Sequence, residues 1–206
     1  MSSESRKYEL KARAEHQRET RRRIVEATAA LHEEVGPART TIAEIARRAG
    51  VQRLTVYNHF PEEGELFAAC QAHFFATHPP PDLGGALALS DAGERLRAVL
   101  GAMYAWYRRT EQGLIPVLLD RGTVPALDRL LERTLDTENA ELAAGVAAGF
   151  RACGRRRDHL RAVIRLALDF WTWRRLKDEG LDDAAAADLI TEIATGLGAS
   201  VPQDGR

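Results

Sequence analysis

Cysteine is scarce in this chain. Among 206 residues there are only Cys70 and Cys153, far apart and without CxxC spacing, so neither a disulfide framework nor a zinc module is expected. Both read as small core hydrophobes in a reducing compartment. Long apolar runs are missing too: none approaches the ~20 residues that a membrane helix needs. The opening residues are charged where a secretory leader would be apolar, so a cytoplasmic protein with no membrane partner is expected. No stretch alternates in the way a half-buried strand does. Catalytic signatures are also lacking. His16, His32, His59, His73, His78 and His159 are scattered, and no HExxH, GxSxG, phosphate loop or dinucleotide-type glycine pattern occurs. His73 and His78 are five apart and run directly into prolines, a poor metal pair, while Asp169, Asp182 and Asp183 read as surface residues or caps. Neither an enzyme nor a metal or cofactor site is expected.

What is present is helix-forming. Apolar residues make up 45% and charged residues 29% of the chain, enough to bury a core and too apolar for global disorder. Ala, Leu, Arg and Glu dominate, and apolar positions recur at three and four, so an all-α fold follows. The net charge of −1 conceals an asymmetry: residues 1–60 hold 12 Lys/Arg against 8 Asp/Glu, the remainder 17 against 22. A basic front on an acidic body suits one end approaching a polyanion, although solvated helix faces vary by as much.

Residues 1–20 are charged and weakly periodic, a frayed extension. From about Arg21 the positions Ile24, Val25, Thr28, Ala29, Leu31 and Val35 mark a helix that stops at Gly36-Pro37. Thr41 with Glu44 is a capping box, and Ile42, Ile45, Ala46 and Ala49 make the apolar stripe of the helix it opens. Gly50 supplies a left-handed turn. A second short helix, about Gln52–His59, buries Val51 and Val56, and a third, about 62–77, carries Leu66, Phe67, Cys70, Phe74 and Phe75. His78 to Gly85 reads as a loop. Further helices are expected at about 91–110, 114–120, 125–150, 156–178 and 183–197.

Two short helices crossing steeply at a tight turn need a small residue at their contact, here Ala46, and apolar plugs, here Val51 and Val56. That seating leaves Gln52, Arg53, Leu54, Thr55, Tyr57 and Asn58 outward, a ridge whose amides and guanidinium suit base edges in a major groove. The segment TTIAEIARRAGVQRLTVYNHF, preceded by RRRIVEATAALHEEVG and followed by PEEGELF, resembles the DNA-binding head of the TetR/AcrR family of bacterial regulators, from about Arg21 to Phe67. The body is similar only loosely, chiefly through FWTWRRLKDEGL.

The resemblance implies an all-α homodimer with a three-helix helix-turn-helix head followed by a C-terminal helical bundle. It divides the chain into an extension (1–20), a DNA-binding domain (21–66), a ligand-binding and dimerisation domain (67–200) and a flexible tail (201–206). It implies a transcriptional repressor released from double-stranded operator DNA by a small apolar or amphipathic effector. In the head, Thr41 would cap its helix near a phosphate, Gln52 and Arg53 would contact bases, and Leu54 a thymine methyl. Thr55, Tyr57 and His59 would bond phosphates, with Asn58 open between base and backbone. The helix at 62–77 would carry the effector's signal to the head.

Two departures stand out: Glu63 lies where the family has a phosphate-binding lysine, and position 43, often polar there, is Ala43. Arg18, Arg21, Arg22 and Arg23 either reach the DNA backbone in compensation or form a solvated face laced by Glu15 and Glu19. A helical adaptor whose head no longer binds DNA is the competing reading. In the body, Leu160, Val163, Ile164, Ala167, Leu168 and Trp171 form one stripe and Leu166, Phe170 and Trp173 another, and a second stripe asks for a second partner. With Ile190, Ile193 and Leu197 of the last helix, Leu166, Phe170 and Trp173 are expected at a homodimer interface, a four-helix bundle of two helices per subunit; a helix central to a larger bundle is the alternative. Effector-pocket candidates are Phe67, Phe74, Met103, Trp106, Tyr107, Phe150, Phe170 and Trp171, with Tyr104 and His159 as polar handles; at helical spacing such residues equally make ordinary core. Cys70 is either a redox sensor or a buried structural thiol.

Overall fold

The computed structural model describes residues 2–198, and side chains from residue 8 onward. The expected tail at 201–206 lies outside the described residues. Every regular element is a helix and no strand occurs among the described residues. Two compact units emerge, neither continuous in sequence. One combines the chain up to Pro79 with Glu111–Leu131, and the other Pro80–Thr110 with the described chain from Glu132 on. The division is spatial, so it cuts across the boundary placed at residue 66.

In the first unit, α1 spans Ser2–Val35 without a break at residue 21. The extension is helical rather than frayed because good helix formers fill it and its charges pair along the axis. Arg22 bonds both Glu19 and Glu26 at 2.6 Å. The helix stops at Gly36, whose φ of 85° and ψ of 156° are open essentially to glycine alone. A Cβ there would lie 2.4 Å from Asp120 Oδ2, and that carboxylate accepts from the Ala38 amide at 2.8 Å. Then follow α2 (Ile42–Ala49), α3 (Arg53–His59) and α4 (Glu63–Thr77). One core joins them: Ile24, Leu31, Ile45, Ala46, Ala49, Val56, Phe60, Leu66 and Cys70. On its other flank α4 packs on α7 (Pro125–Leu131).

The second unit takes α5 (Gly84–Leu87), most of α6 (Ala92–Leu119), α8 (Thr137–Ala147), α9 (Gly154–Ala167), α10 (Phe170–Asp178) and α11 (Asp183–Gly198). Helix α9 lies against both α8 and α11. Four expectations change here. The loop read through Gly85 ends at Leu83, where α5 starts. The helices expected at 91–110 and 114–120 are one, because Gly113 is tolerated and Pro116 sits within the final turn, where few later residues depend on it. The expected 125–150 helix is α7, a π-turn at Glu132–Asp136 and α8. The expected 156–178 helix is two, because the Asp169 carboxylate accepts from the amides of Trp171 (2.9 Å) and Thr172 (3.1 Å) and starts α10 afresh.

Candidate nucleic-acid interface

The head is built on two backbone devices. Thr41 Oγ1 accepts the Glu44 amide at 3.2 Å, half of a capping box. The reciprocal half is missing, because the Glu44 carboxylate takes Arg47 Nε instead, at 3.0 Å. At the other end of α2, Gly50 adopts φ 66° and ψ 39°. The Val51 amide then returns to the Ala46 carbonyl at 2.9 Å, closing the helix in a Schellman-like turn. That turn swings α3 away at once, and Val56, fully buried at 0% exposure, pins it to the core.

With Val56 inward, the opposite face of α3 is set. Gln52, Arg53, Leu54, Tyr57 and Asn58 are exposed, while Thr55 and His59 are half-buried. Leu54 is 65% and Tyr57 53% exposed. Gln52 occupies the N-cap position but makes no side-chain cap bond, so its amide is uncommitted to the helix. Thr41 is exposed beside the start of α2.

The four arginines of α1 separate residue by residue. Arg22 is tied to Glu19 and Glu26. Arg21 donates to the His59 carbonyl at 3.2 Å and lies 4.0 Å from the Phe60 ring centroid, bracing the end of α3. Arg18 touches only the Ala14 carbonyl, at 3.4 Å, and is exposed. Arg23 is half-buried, its Nε without a hydrogen-bond partner. On α2, Arg48 bonds Glu34 at 2.6 and 2.7 Å, and the guanidinium holds that carboxyl below its usual range. Glu62 and Glu63 stand exposed at the start of α4, where carboxylates suit the amide dipoles of a helix N-terminus.

Between α1 and α3 lies an open cleft of about 610 Å³, lined by Ala14, Gln17, Arg18, Arg21, Thr55, Asn58 and His59. The sequence singles out Thr55, Asn58 and His59 of α3 and two of the cleft's arginines but not the cleft itself, since nothing in a local motif says that residues 14–21 continue the same helix.

The effector candidates are distributed over both units. Phe67 stacks on His32 at 5.3 Å and Phe74 on His78 at 4.9 Å in the first. In the second, Tyr107 meets Phe170 at 5.5 Å and Trp173 at 5.7 Å. The hydroxyls of Tyr104 and Tyr107 donate to the carbonyls of Ala167 (3.0 Å) and Leu168 (2.5 Å), satisfying the end of α9, so Tyr104 already has a structural partner. Met103 and Trp106 are buried, His159 is exposed, and Phe150 lies against Gly198.

The dimer candidates divide as well. Phe170, Trp173 and Ile190 are buried within the chain, Leu197 is half-buried, and Leu166 (62%) and Ile193 (44%) are exposed. Trp171 and Leu189, omitted from that set, are exposed as well. Cys70 is buried with its Sγ 3.9 Å from the Val25 carbonyl, and burial pushes the thiol up to about 12, away from redox reactivity at neutral pH. Cys153, expected in the core, is exposed because it precedes α9 on a loop.

Residues 24–70 match the family model for bacterial regulatory proteins of the tetR family. The HTH-type transcriptional regulator TtgR of Pseudomonas putida is 42% identical over 64 residues, 31% of this chain and 30% of that protein. An uncharacterized HTH-type transcriptional regulator of Mycobacterium tuberculosis, MT2310, is 47% identical over 47 residues, 23% of this chain and 25% of the relative. The matched segment thus spans under a third of the length of these curated relatives. Over nearly the whole chain, the fold is similar to that of a TetR-like transcriptional regulator from Rhodococcus sp. RHA1, with TM-score 0.58, 18% identity and coverage of 88% of this chain and 97% of that one. It is also similar to multidrug binding protein EbrR complexed with imidazole, with TM-score 0.52, 20% identity and coverage of 89% and 92%. RolR complexed with resorcinol gives TM-score 0.51, 20% identity and coverage of 90% and 96%.

Proposed function

We propose that this chain, whose residues 24–70 match the family model for bacterial regulatory proteins of the tetR family, is a sequence-specific regulator of transcription, a repressor whose grip on its operator is released by a small molecule. One observation carries the reading. A polar ridge with exposed Leu54 and Tyr57 stands on a helix that Val56 and Gly50 hold in place. A major groove accepts this mixture of polar, cationic and apolar side chains. Gln52 and Arg53 read base edges, Leu54 a thymine methyl, and Asn58 a base or the backbone. Thr41, Thr55, Tyr57 and His59 fix register on phosphates. Glu63, in the lysine's place, removes one phosphate contact without blocking the ridge.

The body is proposed to supply two further functions. Exposed Leu166, Trp171, Leu189 and Ile193 on α9, α10 and α11 would meet the same face of a second copy, since a twofold operator is read by a twofold protein. Multidrug binding protein EbrR with imidazole and RolR with resorcinol support a small, flat, amphipathic effector bound among the aromatic side chains of the body. Release requires that the effector favour the state that does not fit DNA.

Binding-site selection from random-sequence duplexes, followed by fluorescence anisotropy, tests the reading. A regulator recovers one preferred, twofold-related sequence and binds it at least 10³-fold tighter than scrambled DNA. A helical adaptor recovers none. Light scattering on the same samples should give a dimer at micromolar concentration; a monomer there would remove the proposed interface.

A further inference from the structure

The cleft between α1 and α3 carries an inference that rests on the DNA-binding reading and extends it beyond the recognition helix. We infer that the helical extension of α1 is a second DNA-binding element, which seats a sugar-phosphate strand in this cleft and lengthens the operator footprint past the bases read by α3.

At 100° per residue, Lys11, Ala14, Gln17, Arg18 and Arg21 share one face of α1. Glu9, Glu15 and Glu19 fall outside it. The cleft wall accordingly holds two arginines and no carboxylate. Across it stand Thr55, Asn58 and His59 of α3, hydroxyl, amide and imidazole groups of the kind that bond phosphate oxygens. The cleft is open, and every lining residue but Ala14 carries a polar or charged group, whereas small-molecule sites of similar volume are enclosed and lined mainly by apolar side chains.

The cations are available in different degrees. Arg18 is held only by the Ala14 carbonyl. Lys11 has a loose partner in Glu15 at 4.0 Å, both well exposed. Arg21 is engaged with the His59 carbonyl and the Phe60 ring, so it forms the floor while Arg18 and Lys11 reach outward. From Arg21 back to Tyr8 the helix runs about 20 Å, enough to carry charge well away from the recognition helix. Elsewhere the head offers few unpaired cations: Arg47 and Arg48 are paired with glutamates, and Glu62 and Glu63 occupy the start of α4. The extension would restore the cationic contact that Glu63, in the lysine's place, lacks.

The test uses the full chain and its selected operator, in duplexes with either eight or no flanking base pairs, titrated with KCl. The double variant Lys11→Gln with Arg18→Gln should flatten the log–log salt slope by about 2 for each bound subunit, about 0.9 per lost phosphate contact, and leave the ratio of operator to scrambled affinity unchanged. Removing the flanks should weaken the wild type and leave the double variant unaffected. Ala14→Glu, which keeps a good helix former but puts a carboxylate in the wall, should weaken binding at least tenfold with unaltered helicity by circular dichroism. Equal slopes and equal flank dependence in wild type and double variant would overturn the inference. So would variants that alter binding to anionic lipid vesicles and not to DNA. A wild type that binds no duplex would overturn the DNA-binding reading itself, and is visible before any variant is made.

Discussion

Exposed apolar side chains occur in both units, and they mean different things. In the head, Leu54 and Tyr57 sit on one short helix among Gln52, Arg53 and Asn58, a polar ridge with two apolar points. In the second unit, Leu166, Trp171, Leu189 and Ile193 come from three helices that include the small residues Ala184 and Ala185. The first pattern suits the proposed surface of bases and phosphates, the second the proposed contact with a second copy. Exposure alone identifies neither; the neighbours decide.

The contrast also runs through what is buried. The second unit uses its tyrosine hydroxyls and the Trp173 indole, which donates to Asp183 at 3.0 Å, to fasten helix ends. The head buries a titratable imidazole, His32, without such a bond in its favour. Three substitutions sharpen the comparison. Trp173→Ala should cost about 3–5 kcal/mol in chemical denaturation, the largest effect, while the folded fraction keeps its DNA sequence preference. A loss of preference in fully folded protein would tie the aromatic cluster directly to reading DNA.

The next effect is electrostatic. Burial lowers the His32 pKa from 6.5 to about 4, against the opposing pull of Asp120. The unfolded chain therefore binds the proton more readily between those values, and stability falls as pH drops below about 6.5, by about 3 kcal/mol once pH reaches about 4. His32→Phe keeps a ring against Phe67 and should flatten that part of the stability–pH curve. An unchanged curve would mean that His32 is solvated. Smallest of the three, Gly50→Ala should cost about 1–2 kcal/mol, the strain of a left-handed alanine, because a Cβ there meets nothing closer than Arg23 at 3.7 Å.

The head was readable from sequence because each position has one demand that few residues satisfy. Gly50 must be left-handed, Ala46 small, Val56 apolar, and Thr41 a cap; together they dictate which residues of α3 face outward. The body was less readable because its signals are shared by several outcomes. Phe170 and Trp173 at helical spacing suit a core, a pocket or an interface equally, and only three-dimensional packing places them inside. Asp169 reads as a possible cap in the sequence but not as a helix boundary, since its effect depends on α9 ending at Ala167, two residues before it. The cleft of α1 was missed because helix continuity through residues 8–21 depends on many small side-chain pairings rather than on a single marked residue. The Ala38 amide and the Asp120 carboxylate meet across more than eighty residues of chain, a contact that no local pattern announces.

The central claim is that Arg53 and its neighbours read base edges from a helix held rigidly by the head. Its most direct test is the affinity ratio of Arg53→Ala for the selected operator against single-base variants of it, measured by anisotropy at fixed salt. The account predicts that preference at one base position collapses by about 1–3 kcal/mol, with other positions and thermal stability unchanged. Preference retained at every position would contradict it.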